Sequence, residues 1–277
     1  MLALLLIAAF CATGIVLYLN ERSSRAQEQV AGAETGRDYL QIDVTVQKVD
    51  ATGLVLTAGV LVEAQGALAA DGNPLVPAAA LKVETTSLQR AADLNYPAGQ
   101  RIGLDSVPFS LTGGPVSDYP FDGYESLIGF QATAAGKPVP VVVFVQDADP
   151  FFVTRVKSEQ VVDEGAVLVN ERVTRSRSTF ILAWFMMAAM WALALSVFLA
   201  GWLIVSQRRG LLWPSLGWMA ATLFALVGMR NAAPGSPPIG SLLDYAAFFW
   251  AEAIIAVTLT TVVVRGAQVE GEKADPG

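Results

Sequence analysis

Four long apolar segments divide the chain. Met1 to Asn20 carries no charge and is almost wholly apolar, and Ser178 to Gln207 is an uncharged run of 30 residues. Gly210 to Met229 is a third run, of 20 residues, and Tyr245 to Val264 is a fourth, interrupted only by Glu252. A helix crosses a bilayer with about 20 apolar residues at a rise of roughly 1.5 Å each. The pattern therefore predicts four transmembrane helices: an anchor over 1–20, then 179–206, 210–229 and 245–265. A polar domain, 21–178, lies between the first two.

The polar domain has a different period. Leu40, Ile42, Val44 and Val46 alternate with polar residues, as on the buried face of a strand. Leu54 to Val62 is rich in β-branched residues and Leu, and Val139 to Val145 is a short continuous apolar run. Gly72-Asn73-Pro74, Gly113-Gly114-Pro115 and Gly136-Lys137-Pro138 supply turns. The expected fold class is a membrane α-helical bundle of four spans plus an all-β extracytoplasmic domain, antiparallel and sandwich-like. Residues 230–244 form a Pro/Gly-rich outer loop, and 266–277 a disordered cytoplasmic tail.

The first segment is read as an uncleaved anchor. Its apolar part exceeds the about 7–15 residues of a signal-peptide core, and no basic residue precedes it. Arg208 and Arg209, in the short loop between the second and third segments, favour the cytoplasm. Arg265 falls on the same side. Both termini are then cytoplasmic, and the large domain lies outside the cell membrane. Arg22, Arg25, Arg172, Arg175 and Arg177 flank the membrane on the domain side and argue the other way, but long domains translocate largely regardless of charge.

Within the spans, Ala188, Ala192, Ser196 and Ala200 recur every fourth residue, as do Gly217, Ala221 and Ala225. Small residues at this spacing let membrane helices approach closely, so a compact bundle is expected.

Composition narrows the chemistry. From Glu21 to Ser178 there are 13 Lys+Arg and 20 Asp+Glu, a net of −7, while the rest of the chain has 5 of each. An acidic domain excludes nucleic acid as a partner, because phosphate binding needs clustered Lys and Arg. Histidine is absent, and the single cysteine, Cys11, lies in the first apolar segment. Metal sites and catalysis that depend on His or Cys are thereby excluded from the domain. No catalytic residue, metal ligand or cofactor site is assigned.

Three features remain as candidates. Glu252 is a carboxyl at membrane depth, where a charge costs roughly 2.5–3.5 kcal/mol on insertion scales. It is read either as a titrating or ligand-holding group or as a structural acid. The loop from Arg230 through Asn231, Pro234, Pro237 and Pro238 to Asp244 is stiffened by proline, and Arg230 and Asp244 are placed to pair across it. The turn Tyr119-Pro120-Phe121-Asp122-Gly123-Tyr124 is a dense aromatic tip. Loop and turn are candidate docking elements between domain and bundle, against a helix connector and a packed turn. Asp147-Ala148-Asp149 has the look of a metal-binding Asp-x-Asp, but the domain lacks the alternating helices of a nucleotide fold, and a polar strand-end turn is favoured.

The order of anchor helix, β-rich domain and three helices resembles an uncharacterised family of bacterial membrane proteins carried as domain of unknown function 4436. The matching residues are Tyr119-Pro120-Phe121-Asp122-x-Tyr124, then Arg230-Asn231-x-x-Pro234-Gly235-x-Pro237-Pro238-x-Gly240, Asp244 and Phe249-Trp250. The resemblance, taken over nearly the whole chain, implies a membrane location and lends no activity. The expected function is that of a non-enzymatic integral membrane protein. It would be an accessory subunit or cell-envelope scaffold whose outer domain binds a protein, lipid or glycan. The alternatives are a transporter or channel component using Glu252 and, behind it, a carboxylate-dependent envelope enzyme. Membrane lipids and another envelope protein are the expected partners, and a homo-oligomer is compatible with the sequence.

Overall fold

The computed structural model describes residues 29–31, 36–88, 93–162 and 165–274, with five scattered positions between 12 and 19. The first expected span, Met1 to Asn20, lies almost wholly outside the described residues. The chain divides into two compact units: Met1–Pro115 with Phe121–Ser178, and Val116–Pro120 with Thr179–Gly277.

The first unit is built from thirteen strands among the described residues. They are β1 (Gln29–Ala31), β2 (Leu40–Asp50), β3 (Val55–Ala64), β4 (Ala69–Ala70), β5 (Asn73–Pro77), β6 (Leu81–Thr85), β7 (Leu94–Tyr96), β8 (Asp105–Thr112), β9 (Gly123–Ala134), β10 (Lys137–Val139), β11 (Val141–Asp147), β12 (Phe152–Val162) and β13 (Ala166–Arg175). The main path runs β1-β11-β2-β3-β8-β9-β13-β12, with β6, β7 and β10 attached beside β9 and β4–β5 a separate hairpin. The alternation read from sequence is β2: Leu40, Ile42, Val44 and Val46 are all buried. A bulge between Val46 and Lys48 then shifts the parity, so that Val49 turns inward.

The sandwich expectation is corrected on two counts. β11 pairs in parallel with β2, register Val143 to Ile42, so the sheet is not purely antiparallel. The sheet also curls until its edges meet, giving a barrel-like domain. The closure is made by a side chain: Gln29 on β1 donates its amide to the Thr154 carbonyl at 3.2 Å and accepts from the Val156 N–H at 2.7 Å. One glutamine thus satisfies two backbone groups on the edge of β12, as a neighbouring strand would.

The second unit contains α1 (Arg177–Ser206, beginning in the first unit), α2 (Trp213–Asn231), a π-helical turn (Asp244–Phe248) and α3 (Phe249–Ala274). Met190, Ala194 and Val197 of α1, Met219 and Leu226 of α2, and Ala251 and Ile255 of α3 share one apolar core. The four-span bundle is overturned. Among the described residues, two stretches are long and apolar enough to cross a membrane, Arg177–Ser206 and Asp244–Glu272. Helix α2 falls short because Trp213, Pro214, Ser215, Gly217 and Trp218 fill its first turns and Arg230 its last.

The small-residue stripes are corrected as well. Ala188, Ala192 and Ser196 are exposed, and so are Gly217, Ala221 and Ala225. Close approach occurs instead at buried Gly201, where an added Cβ would collide with the Thr258 methyl of α3. The tail expected to be disordered from 266 continues as helix to Ala274. Its Glu270 carboxylate accepts the Leu211 N–H at 2.9 Å.

Candidate functional site

The Arg230–Asp244 loop closes on a buried ion pair. The Arg230 Nε donates to Asp244 Oδ1 at 2.8 Å and its Nη2 to Oδ2 at 2.9 Å, a planar fork on a carboxylate. The same guanidinium donates to the carbonyls of Pro237 at 3.2 Å and Pro238 at 2.7 Å. Proline brings those carbonyls in without an N–H of its own to satisfy. Asp244 Oδ2 also accepts from the N–H groups of Gly240 at 2.7 Å and Ser241 at 3.1 Å. Ser241-x-x-Asp244 is therefore a capping arrangement that starts the last helix, a spacing legible in the sequence but not read there. Gly240 sits at φ +90°, where a side chain would be strained. Pro234 and Pro237 are buried, Pro238 is half-buried and Asn231 is exposed, outside the pair's network.

The aromatic turn is divided between the two units. Val116–Pro120 belongs to the helical unit, and fully buried Tyr119 is part of its apolar core. Tyr119 is close enough to Arg230 to interact with it electrostatically. The Tyr119–Pro120 peptide is cis. Phe121 is exposed, at 56%. Asp122 and Tyr124 belong to the β unit, where they form a buried cluster with Arg175, which the sequence offered only as a charge flanking the membrane. The Arg175 Nε and Nη2 reach the Asp122 carboxylate at 2.8–3.0 Å, and the Tyr124 hydroxyl donates to it at 2.9 Å. The guanidinium carbon lies 4.1 Å from the centre of the Phe152 ring.

Asp147 and Asp149 are turn carboxylates. Asp149 accepts the N–H groups of Val49, Phe151 and Phe152 at 2.7–2.9 Å, and Asp147 those of Asp149 and Thr154 at 3.1–3.2 Å. Oxygens held by backbone donors are poorly placed to ligate a cation, and no metal-holding group of three His, Cys, Asp or Glu occurs among the described residues. Glu252 is half-buried near the start of α3, one turn beyond the π-helical segment.

The β unit also holds a carboxyl that the sequence reading passed over. Glu171 is fully buried on β13, between Val169 and Val173. No described group hydrogen-bonds either of its oxygens. Burial, with a smaller contribution from the negative charge of Asp147, pushes its pKa up to about 8.

Two family models match the chain, one after the other. The model described as Domain of unknown function (DUF4436) matches residues 30–174. The chain belongs to that family. The match covers the barrel-like domain and stops one residue short of Arg175, so the expected coverage of nearly the whole chain is corrected. A second model, Domain of unknown function (DUF8686), matches 175–269 and takes in the Arg230–Asp244 loop. No curated protein matches the chain. The stretch Tyr119-Pro120-Phe121-Asp122-x-Tyr124, inside the DUF4436 match, thus supplies both units: Tyr119 joins the apolar core of one, and Asp122 with Tyr124 the buried cluster of the other.

Proposed function

We propose that this DUF4436 protein is a non-enzymatic membrane protein, an accessory subunit or cell-envelope scaffold whose β unit binds a protein, lipid or glycan partner outside the membrane. The observation that carries the reading is the surface of the helices. Phe185 and Trp202 of α1 are 64% and 65% exposed, and Trp250 and Val257 of α3 are 60% and 66% exposed. A water-facing helix keeps one polar stripe, whereas these helices are apolar on the outside as well as within, which suits lipid. The engagement of Asp122, Asp147, Asp149 and Asp244 by arginine or backbone donors supports a structural use of these carboxylates. Tagged protein should resist extraction from native membranes by alkaline carbonate, and should co-purify in mild detergent with a stoichiometric partner or one enriched lipid. Release by carbonate would overturn the membrane reading. Turnover of a lipid or glycan, lost in a single Asp or Glu variant, would overturn the non-enzymatic one.

A second reading, a transport component, is favoured by one observation: Glu252 is a half-buried carboxyl inside the span-capable stretch Asp244–Glu272. Under that reading Glu252→Gln abolishes flux while expression is unchanged; flux that survives the substitution removes it.

A further inference from the structure

We propose that the β unit carries a proton-coupled gate: the seam between β1 and β12 opens as the Glu171 carboxyl gives up its proton to water. Two independent features meet at this place. The first is the seam, closed among the described residues by the Gln29 side chain rather than by a ladder. Gln29 holds Val156, and Val156 is the residue paired with Glu171 across β12 and β13. The second is the buried, unpartnered carboxyl itself. The Thr154 hydroxyl, on the neighbouring position of β12, also lacks a hydrogen-bond partner among the described groups. Two polar orphans under a weakly closed edge are satisfied if the edge admits water.

The charges around Glu171 do not neutralise it. From β11, Asp147 faces it with a like charge while accepting the Thr154 N–H. On β13 itself, Arg175 lies four residues on and is engaged by Asp122. The buried face of β9 presents Tyr124, Ser126 and Ile128, and that of β12 presents Phe152 and Thr154. Tyr124 is the only one of these five that titrates, and its hydroxyl donates to Asp122. Among the described residues no cation hydrogen-bonds the Glu171 carboxyl, and the charge that acts on it is the negative one of Asp147, so ionisation and hydration go together.

The direction of the pH effect follows from linkage. The carboxyl binds its proton up to about pH 8 in the closed unit and ionises near the ordinary 4.5 once hydrated. Closure is therefore complete below about 4.5 and weakens as pH rises to about 8, by roughly tenfold per unit, then levels off. The test is hydrogen–deuterium exchange of the full chain in detergent between pH 5.5 and 7.5, with labelling times scaled to the intrinsic rate. The expected result is a roughly hundredfold rise in opening for the peptide spanning 152–156, with β3 (Val55–Ala64) unchanged as the control. Glu171→Gln, or Glu171→Met should the amide variant fold poorly, abolishes that rise. Protection at 152–156 that is flat with pH overturns the proposal. So does an equal loss across β3, or a rise that persists in the Glu171 variant that folds.

Discussion

Replacing Asp122 by Ala tests how the β unit is held together. The pair it breaks is dry: the Arg175 and Asp122 side chains are 2% and 0% exposed. Three guanidinium contacts of 2.8–3.0 Å and the Tyr124 hydroxyl at 2.9 Å all end on that one carboxylate. Without it, the Arg175 guanidinium loses its buried counter-charge and stays in the core beside the Phe152 ring. Breaking one side of a buried pair costs about 3–5 kcal/mol, and loss of the Tyr124 hydrogen bond adds about 1 kcal/mol, with overlap between the two. Asp122→Ala should therefore destabilise by about 4 kcal/mol. Adding Arg175→Met to Asp122→Ala removes the stranded charge and should recover most of that loss, giving a coupling of about 2 kcal/mol or more. Native-state exchange of the β9 and β13 amides in the full chain, at fixed pH, reads both quantities. A single-variant cost below about 1 kcal/mol, or additive effects of the two substitutions, would refute the reasoning.

Gly201→Val drives a branched side chain into Thr258 and should cost about 1–3 kcal/mol, read as a lower melting temperature in detergent, whereas Ala188→Val on the exposed stripe should cost little. Arg230→Lys keeps the charge but loses the fork on Asp244 and the carbonyls of Pro237 and Pro238. Limited proteolysis should then cut within 231–243 where the parent resists. Asp149→Ala strands the N–H groups of Val49, Phe151 and Phe152, at about 1–3 kcal/mol for each that stays buried. It should raise exchange there and leave any binding of manganese unchanged from the parent.

What the sequence could disclose depended on how local the determining interaction is. The Leu40–Val46 alternation is set by the pleat of a single strand, so it was readable residue by residue. The edge closure by Gln29 joins positions 125 and 127 residues apart, and the parallel pairing of β2 with β11 joins positions about as distant. Neither leaves any periodic trace. The helical spans misled for a related reason: apolarity reports that a helix is out of water, but not which side touches protein. Small residues mark close packing only where another helix arrives, and here it arrives at Gly201 rather than along Ala188-Ala192-Ser196.

One miss had a local signal. In Ala166–Arg175 the inward parity is Val167, Val169, Glu171, Val173, Arg175. Three valines fix the buried face, and the pleat then forces Glu171 and Arg175 onto it, charged or not. Reading that stretch as a strand would have exposed two buried charges, six and two residues before the helix that starts at Arg177. It would not have shown that Arg175 meets a carboxylate 53 positions away while Glu171 meets none. Strand parity can reveal that a charge is buried, but whether it is paired depends on the sheet's long-range order, and that difference separates a structural ion pair from a group free to respond to protons.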